Sequence, residues 1–328
     1  MPHNVRHMQN KYFAQLAGLS ILWGATFLFT RVATPEIGPS LTAAGRIGLG
    51  AATLALIMTF TRHRWPWQHW RALAVLAALG IAGPHFLYAW SSLYLPAGYS
   101  AVLSVTSVMF GTFVSAWLRE DVLTRSKVFG CIAGFSGVAL VVQLGPMRPT
   151  PELVVAAMVA IAGSALSGAS APLLKRATKY MEPLAITAVM HVIAFGLLLP
   201  SAAWTLPQAR FTPAALASVA VMGVCTSGLA YWAYMRIVQK VSPIAALSST
   251  FMATISGIIW GHLVLDEKFT GTTYAGGLLV LAATVLVTGF NPWRRPAAVP
   301  TAGAAADATT ATRPPPPPPP PPPPSTGR

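Results

Sequence analysis

Thirty charged residues in a chain of 328 gather in short clusters, and ten long apolar stretches run between them. A bilayer core takes roughly 20 predominantly apolar residues per helix, so these stretches have spanning length. They cover Tyr12–Ala33, Ser40–Phe60, Leu73–Tyr94, Ala97–Leu118, Val128–Leu144, Leu153–Leu174, Pro183–Trp204, Ala214–Ile237, Pro243–Leu265 and Thr272–Phe290. None alternates apolar and polar residues with period two, which leaves helices as the spanning element rather than barrel strands. The eight acidic residues (Glu36, Glu120, Asp121, Glu152, Glu182, Asp266, Glu267 and Asp307) lie outside the ten cores or at their ends. The predicted fold class is therefore an all-α integral membrane protein.

A net charge of +14 would suggest nucleic acid as a partner of a soluble chain, but its distribution here points to topology instead. With the N-terminus in the cytoplasm, 17 Lys and Arg fall on the cytoplasmic side, while Arg148, Arg210 and Lys268 fall on the other. Arg31 and Arg46 are left inside helices. That bias orients the protein with both termini cytoplasmic, as a multi-pass protein of a bacterial cytoplasmic (inner) membrane. Some of the basic residues also suit anionic headgroups, so membrane lipids are expected partners. The first ten residues are polar and the first apolar run is too long for a signal peptide, so no cleavage is expected. Cys131 and Cys225 sit mid-span and read as inert buried thiols. Beyond Phe290 the chain turns to Ala, Thr and Pro and ends in Pro314–Pro324, a disordered cytoplasmic tail with a polyproline II stretch.

The chain also matches itself. Leu118-Arg119-Glu120 and Leu265-Asp266-Glu267 close the fourth and ninth spans, and a glycine follows each Glu ten residues later, at Gly130 and Gly277. Pro96 and Pro243 precede those spans at the same offset of 147, while Gly24 with Gly168 and Pro39 with Pro183 match at 144. Spans one to five and six to ten are thus two copies of one unit. Five is odd, so the copies have opposite orientations, the architecture expected of a secondary transporter with its site between the halves. The predicted organisation is a cytoplasmic segment 1–11, repeats 12–146 and 147–292, and a tail 293–328.

These residues carry a family resemblance. Trp23-Gly24-Ala25-Thr26-Phe27, Arg46 within Ala-Gly-Arg-Ile-Gly-Leu, and the twice-used Leu-x-Glu-(nine residues)-Gly resemble the drug/metabolite transporter superfamily in its ten-helix EamA branch. The resemblance covers residues 12–292, and the Tyr- and Trp-rich third and eighth spans are most similar to YddG-type amino-acid exporters. It implies a ten-helix carrier made of two inverted five-helix repeats. Two departures stand out. Where the family usually has glycine before the Glu, this chain has Arg119 and Asp266, and the proline often found inside the fourth and ninth helices is replaced around Ser107 and Thr254.

No span core contains Asp or Glu, the group a proton-coupled exporter of cations keeps inside the membrane. Neutral or zwitterionic solutes fit better. In the third span Pro84 removes a backbone donor, and His85, Tyr88 and Ser92 follow at helical spacing. Tyr231 and Tyr234 answer them in the eighth span. Rings with hydroxyl tips suit an amphipathic solute of amino-acid size. The candidate substrate-binding residues are Trp23, Arg46, His85, Tyr88, Tyr99, Ser167, Tyr231 and Tyr234. Two roles stay open for Arg46, capping helix carbonyls or attracting a substrate carboxylate. Trp90, Tyr94 and Trp204 read as an interfacial belt, His191 as a packing histidine, and His262 as interfacial. The strips Ser100/Ser104/Ser107/Gly111 and Thr250/Thr254/Gly257/Gly261 read first as packing surfaces. Glu120 and Glu267 read as helix caps and loop ion pairs.

Hydrolase, metalloprotease and phosphate-loop motifs are absent from the sequence, so no enzyme, metal or cofactor is expected. The expected function is export of small metabolites, foremost aromatic and other neutral amino acids, by alternating access through a central apolar cavity. Efflux of drugs or toxic metabolites is the alternative, and a non-transporting intramembrane enzyme or scaffold is a further one. The expected partners are a small-molecule substrate and lipids, not nucleic acid, and nothing asks for more than a monomer.

Overall fold

The structure, a computed structural model, describes residues 2–120, 122–144, 150–238 and 243–288, all within the packed unit Met1–Asn291. The predicted polyproline tail, Asp121, Arg148 and Lys240 lie outside the described residues. Among those described there are ten helical rods and no strand. The first helical run, Pro2–Phe60, breaks at Gly38 (φ 82°, ψ 161°) into α1 (2–37) and α2 (39–60). Only glycine adopts that backbone without strain. The remaining rods are α3 (Trp67–Ser91), α4 (Ala97–Trp117), α5 (Arg125–Leu144), α6 (Pro151–Ala177), α7 (Pro183–Thr205), α8 (213–238), α9 (Pro243–Leu265) and α10 (Gly271–Thr288). Each coincides with one predicted span.

Local chemistry starts and stops these helices. Pro151, Pro183 and Pro213 occupy first turns, where a missing N–H costs nothing. Thr150 and Thr212 cap α6 and α8, each accepting from a backbone N–H at 3.3 Å. At the other ends Arg62, Arg119 and Asp266 take left-handed φ of 54°, 58° and 52°. Arg119 N–H bonds Ala116 O (3.0 Å) and Glu120 N–H bonds Ser115 O (2.9 Å), the paired C-terminal closure that normally wants glycine. The family's glycine before the Glu is thereby explained, and so is the departure: the two non-glycine residues occupy the same left-handed position with some strain. Arg119→Gly is expected to raise stability by about 1 kcal/mol, with a smaller gain at Asp266→Gly because Asp tolerates this region. Thermal unfolding in detergent measures both.

The helix contacts repeat when each helix number is advanced by five, modulo ten. Close crossing of α1 and α9 at Gly24 mirrors that of α6 and α4 at Gly168. Contacts of α8 with α1 and α2 mirror those of α3 with α6 and α7, while α5 pairs with α10 and α4 with α9. This is a ten-helix inverted-repeat bundle. Large apolar side chains such as Leu56, Phe129, Met158, Leu263 and Leu278 point outward, where acyl chains would meet them. Tyr94 and Trp204 are exposed near helix ends, as a belt requires, whereas Trp90 is half-buried against the α4–α5 core.

The two signature carboxylates act at helix ends. Glu267 receives Ala97 N–H at 2.5 Å and Gly98 N–H at 3.0 Å, capping α4 from the opposite half. Gly98 and Gly261 make room: a Cβ at Gly261 would stand 2.4 Å from the carboxylate. Glu120 instead accepts from Arg176, which also reaches Leu118 O at 3.1 Å. Arg176 holds the Glu120 carboxyl below its usual range, but the pair is exposed and screened. Glu267→Gln should therefore lose ~1 kcal/mol of charge-assisted capping and lower the thermal midpoint, while Glu120→Gln leaves it nearly unchanged.

Candidate functional site

Residues of α1, α2, α3, α4, α6, α8 and α9 surround a cavity of about 360 Å³. Three departures from regular α-helix shape it. In α3 the segment Ala78–Ala82 is π-helical, with Gly83 N–H bonded back to Ala78 O, which accommodates the missing donor of Pro84. At the equivalent place in α8, Val221–Leu229 is also π-helical. Such wide turns loosen the ladder and are common at functional sites. The donor that Pro84 lacks is thus accommodated in a wide turn, and its repeat partner adopts one without any proline inside it.

The third departure lies in α4, which is interrupted at Val105. Ser104 Oγ donates to Ala101 O and Thr106 Oγ1 to Leu103 O, both at 2.7 Å, and Ser164 Oγ of α6 also reaches Leu103 O at 3.0 Å. Hydroxyls have drawn these carbonyls out of the ladder. The helix is therefore interrupted without the family's proline, at Val105 rather than at Ser107. By contrast, α9 runs unbroken from Pro243 to Leu265.

Seven of the eight candidate residues line this cavity: Trp23, Arg46, His85, Tyr88, Ser167, Tyr231 and Tyr234. Trp23, Tyr231 and Tyr234 form an edge-to-face cluster, with centroids 4.9 Å apart for Trp23–Tyr234 and 6.5 Å for the other two pairs. Trp23 Nε1 donates to Thr226 O at 3.2 Å, tying α1 to the wide turn of α8. Tyr88 stands edge-on to Phe27 at 6.3 Å, and its hydroxyl is hydrogen-bonded to Ser164 Oγ at 2.7 Å. His85 Nδ1–H donates to Ile81 O at 2.7 Å. Arg46 Nε donates to Ser227 Oγ at 3.0 Å. Among the described residues no carboxylate lines the cavity or pairs with Arg46.

Tyr99 is the exception. It is 1% exposed, packed in the core with Leu103 and Val141 and stacked on Phe269 at 6.4 Å, away from the cavity. The reason is helical phase: Ser104 faces the cavity, and a residue five positions earlier points ~140° round the helix. Ser92 also misses the cavity; its carbonyl, with that of Leu93, accepts from Arg31 and closes α3. His191 is buried with its Nδ1–H on Thr187 O at 2.8 Å, a packing role, although its ring lies 6.0 Å from Tyr231.

The cavity also recruits Thr26, Phe27, Thr30, Thr42, Ser104, Ser249 and Thr254, which sequence reasoning did not single out for binding. Ser104 and Thr254 belonged to the two strips expected to pack helices, whereas Gly111 and Gly257 of those strips do lie at helix crossings. Thr26 Oγ1 is buried with no hydrogen-bond partner among the described residues.

The profile of the EamA-like transporter family matches residues 12–143 and 154–289. The chain is 27% identical over 289 residues to the uncharacterized transporter YvbV of Bacillus subtilis, covering 87% of this chain and 93% of that one. It is 25% identical over 283 residues to protein PecM of Dickeya dadantii, covering 84% and 91%. A solved crystal structure superposes with a TM-score of 0.61 at 18% identity, covering 85% of this chain and 98% of its own, a likeness of fold.

Proposed function

Because the chain belongs to the EamA-like transporter family, we propose that this membrane transporter exports amino acids with aromatic or other neutral side chains. Its setting on this proposal is a bacterial cytoplasmic membrane, with both termini in the cytoplasm. The observation that carries the proposal is the cavity between the halves, whose described lining has the clustered rings of Trp23, Tyr231 and Tyr234, several hydroxyl-bearing residues, one guanidinium and no carboxylate. Its volume of about 360 Å³ holds one solute of amino-acid size. A lipophilic cation would meet Arg46 with nothing to offset its charge.

The mechanism is alternating access. The two halves rock about the glycine crossings, with α4 bending at Val105 and the wide turns of α3 and α8 changing register. Without an intramembrane carboxylate, the outward substrate gradient suffices as the driving force. Cells making the protein should become resistant to a toxic aromatic amino-acid analogue such as p-fluorophenylalanine and should hold less of it. His85→Ala and Tyr88→Ala should remove at least half of that resistance at equal protein level. Unchanged susceptibility with the protein present in the membrane would count against amino-acid export.

A further inference from the structure

We propose that Arg46 is the carboxylate-recognising residue of the cavity, so that the substrate's carboxylate is required and its amino group is dispensable. The inference rests on the amino-acid reading above and sharpens it. Arg46 sits on α2 and lines the cavity. Ser227, 3% exposed in the wide turn of α8, accepts from Nε at 3.0 Å. Guanidinium carries five N–H donors in a planar fork, and the other four have no partner among the described residues. A charge left so in a low-dielectric site is unfavourable until an anion meets it, and a carboxylate matches the fork in two parallel hydrogen bonds. Ser227 behind Nε holds the guanidinium's rotamer, so the fork is set before the solute arrives.

Charge balance narrows the solute further. The described lining holds one guanidinium and no carboxylate, so a single negative charge neutralises it. A phosphate dianion would exceed that, and an amine would add to it. Among the described lining residues nothing anionic awaits an ammonium, which would meet ring faces and hydroxyl-bearing side chains instead. Removing the ammonium from the solute therefore loses little, while removing the carboxylate leaves Arg46 unpaired.

The test is calorimetric binding to the purified full-length protein in detergent with three probes: L-phenylalanine, 3-phenylpropionate and 2-phenylethylamine. The first two should bind within about tenfold of each other, and the amine at least tenfold more weakly than either. In Arg46→Gln, affinity for 3-phenylpropionate should fall at least tenfold. Arg46→Lys, which keeps the charge without the fork, should fall between, and guards against a variant that does not fold. The wild-type comparison needs no variant at all. Equal binding of the amine, unchanged affinity in Arg46→Gln, or no binding of either carboxylate overturns the proposal. Flux of phenylalanine through liposomes reports on export separately: carboxylates that bind through Arg46 without being moved would remove the export reading and leave this one standing.

Discussion

Gly168→Ala and Gly24→Ala are each expected to destroy most transport and to reduce the yield of folded protein sharply. A Cβ at Gly168 would stand 2.2 Å from Ser107 O and 2.8 Å from Gly111 N. At Gly24 it would meet Ala253 O at 2.5 Å and Gly257 N at 2.7 Å. Apart from Ser256 Oγ, which would also stand 2.5 Å from a Cβ at Gly24, the nearest obstructing atoms are backbone, so turning a side chain does not clear the space and the helices must separate. Overpacking of this kind costs about 1–3 kcal/mol or more, and in a bilayer no hydrophobic force pulls the helices back together. The controls are Gly18→Ala and Gly196→Ala, where a new Cβ meets nothing among the described residues within 4 Å. Alanine is the better helix former, so those two should be neutral or slightly stabilising. Thermal unfolding and transport by all four variants separate close approach from a general intolerance of change. Equal damage at all four would argue against the crossings.

The second large effect is at Trp23. Trp23→Ala should raise the half-saturating concentration for an aromatic amino acid by about 10- to 100-fold, at roughly 1.4 kcal/mol per tenfold. It removes the ring that Tyr231 and Tyr234 flank and the Nε1 bond to Thr226 O. Trp23→Phe keeps an aromatic face and should recover most of the affinity. The indole bond also joins α1 to α8, so a purely structural role would lower stability in both variants alike while leaving affinity unchanged. Binding measured beside thermal unfolding distinguishes the two.

Charge placement made the ten rods legible in the sequence. Carboxylates and cations are too costly in hydrocarbon to sit anywhere but helix ends or paired sites, so their positions mark boundaries. The repeat was legible because the closures at Arg119-Glu120 and Asp266-Glu267 recur, and the left-handed backbone there shows why that motif exists. In the candidate site, large rings announced themselves by type and spacing: Trp23, Tyr88, Tyr231 and Tyr234 converge on one cavity. Small hydroxyl residues did not. Ser104 and Thr254 face the cavity while Gly111 and Gly257 on the same strips make helix contacts, and the residue types suit both tasks. Tyr99 was misplaced because its chemistry suggested binding while its helical phase sent it to the core. The π-helical turns and the Val105 break were invisible for another reason. They arise when hydroxyls and proline redistribute backbone hydrogen bonds, a choice set by tertiary packing rather than by residue type alone.

Counterflow in liposomes containing only the purified protein tests export through the central cavity most directly. Vesicles loaded with unlabelled L-phenylalanine and diluted into a trace of labelled L-phenylalanine should accumulate the label transiently, and a protonophore should not prevent it. Arg46→Gln and Trp23→Ala should blunt that overshoot. No overshoot with any neutral amino acid, from protein shown to be folded in the same vesicles, would contradict amino-acid transport by this protein.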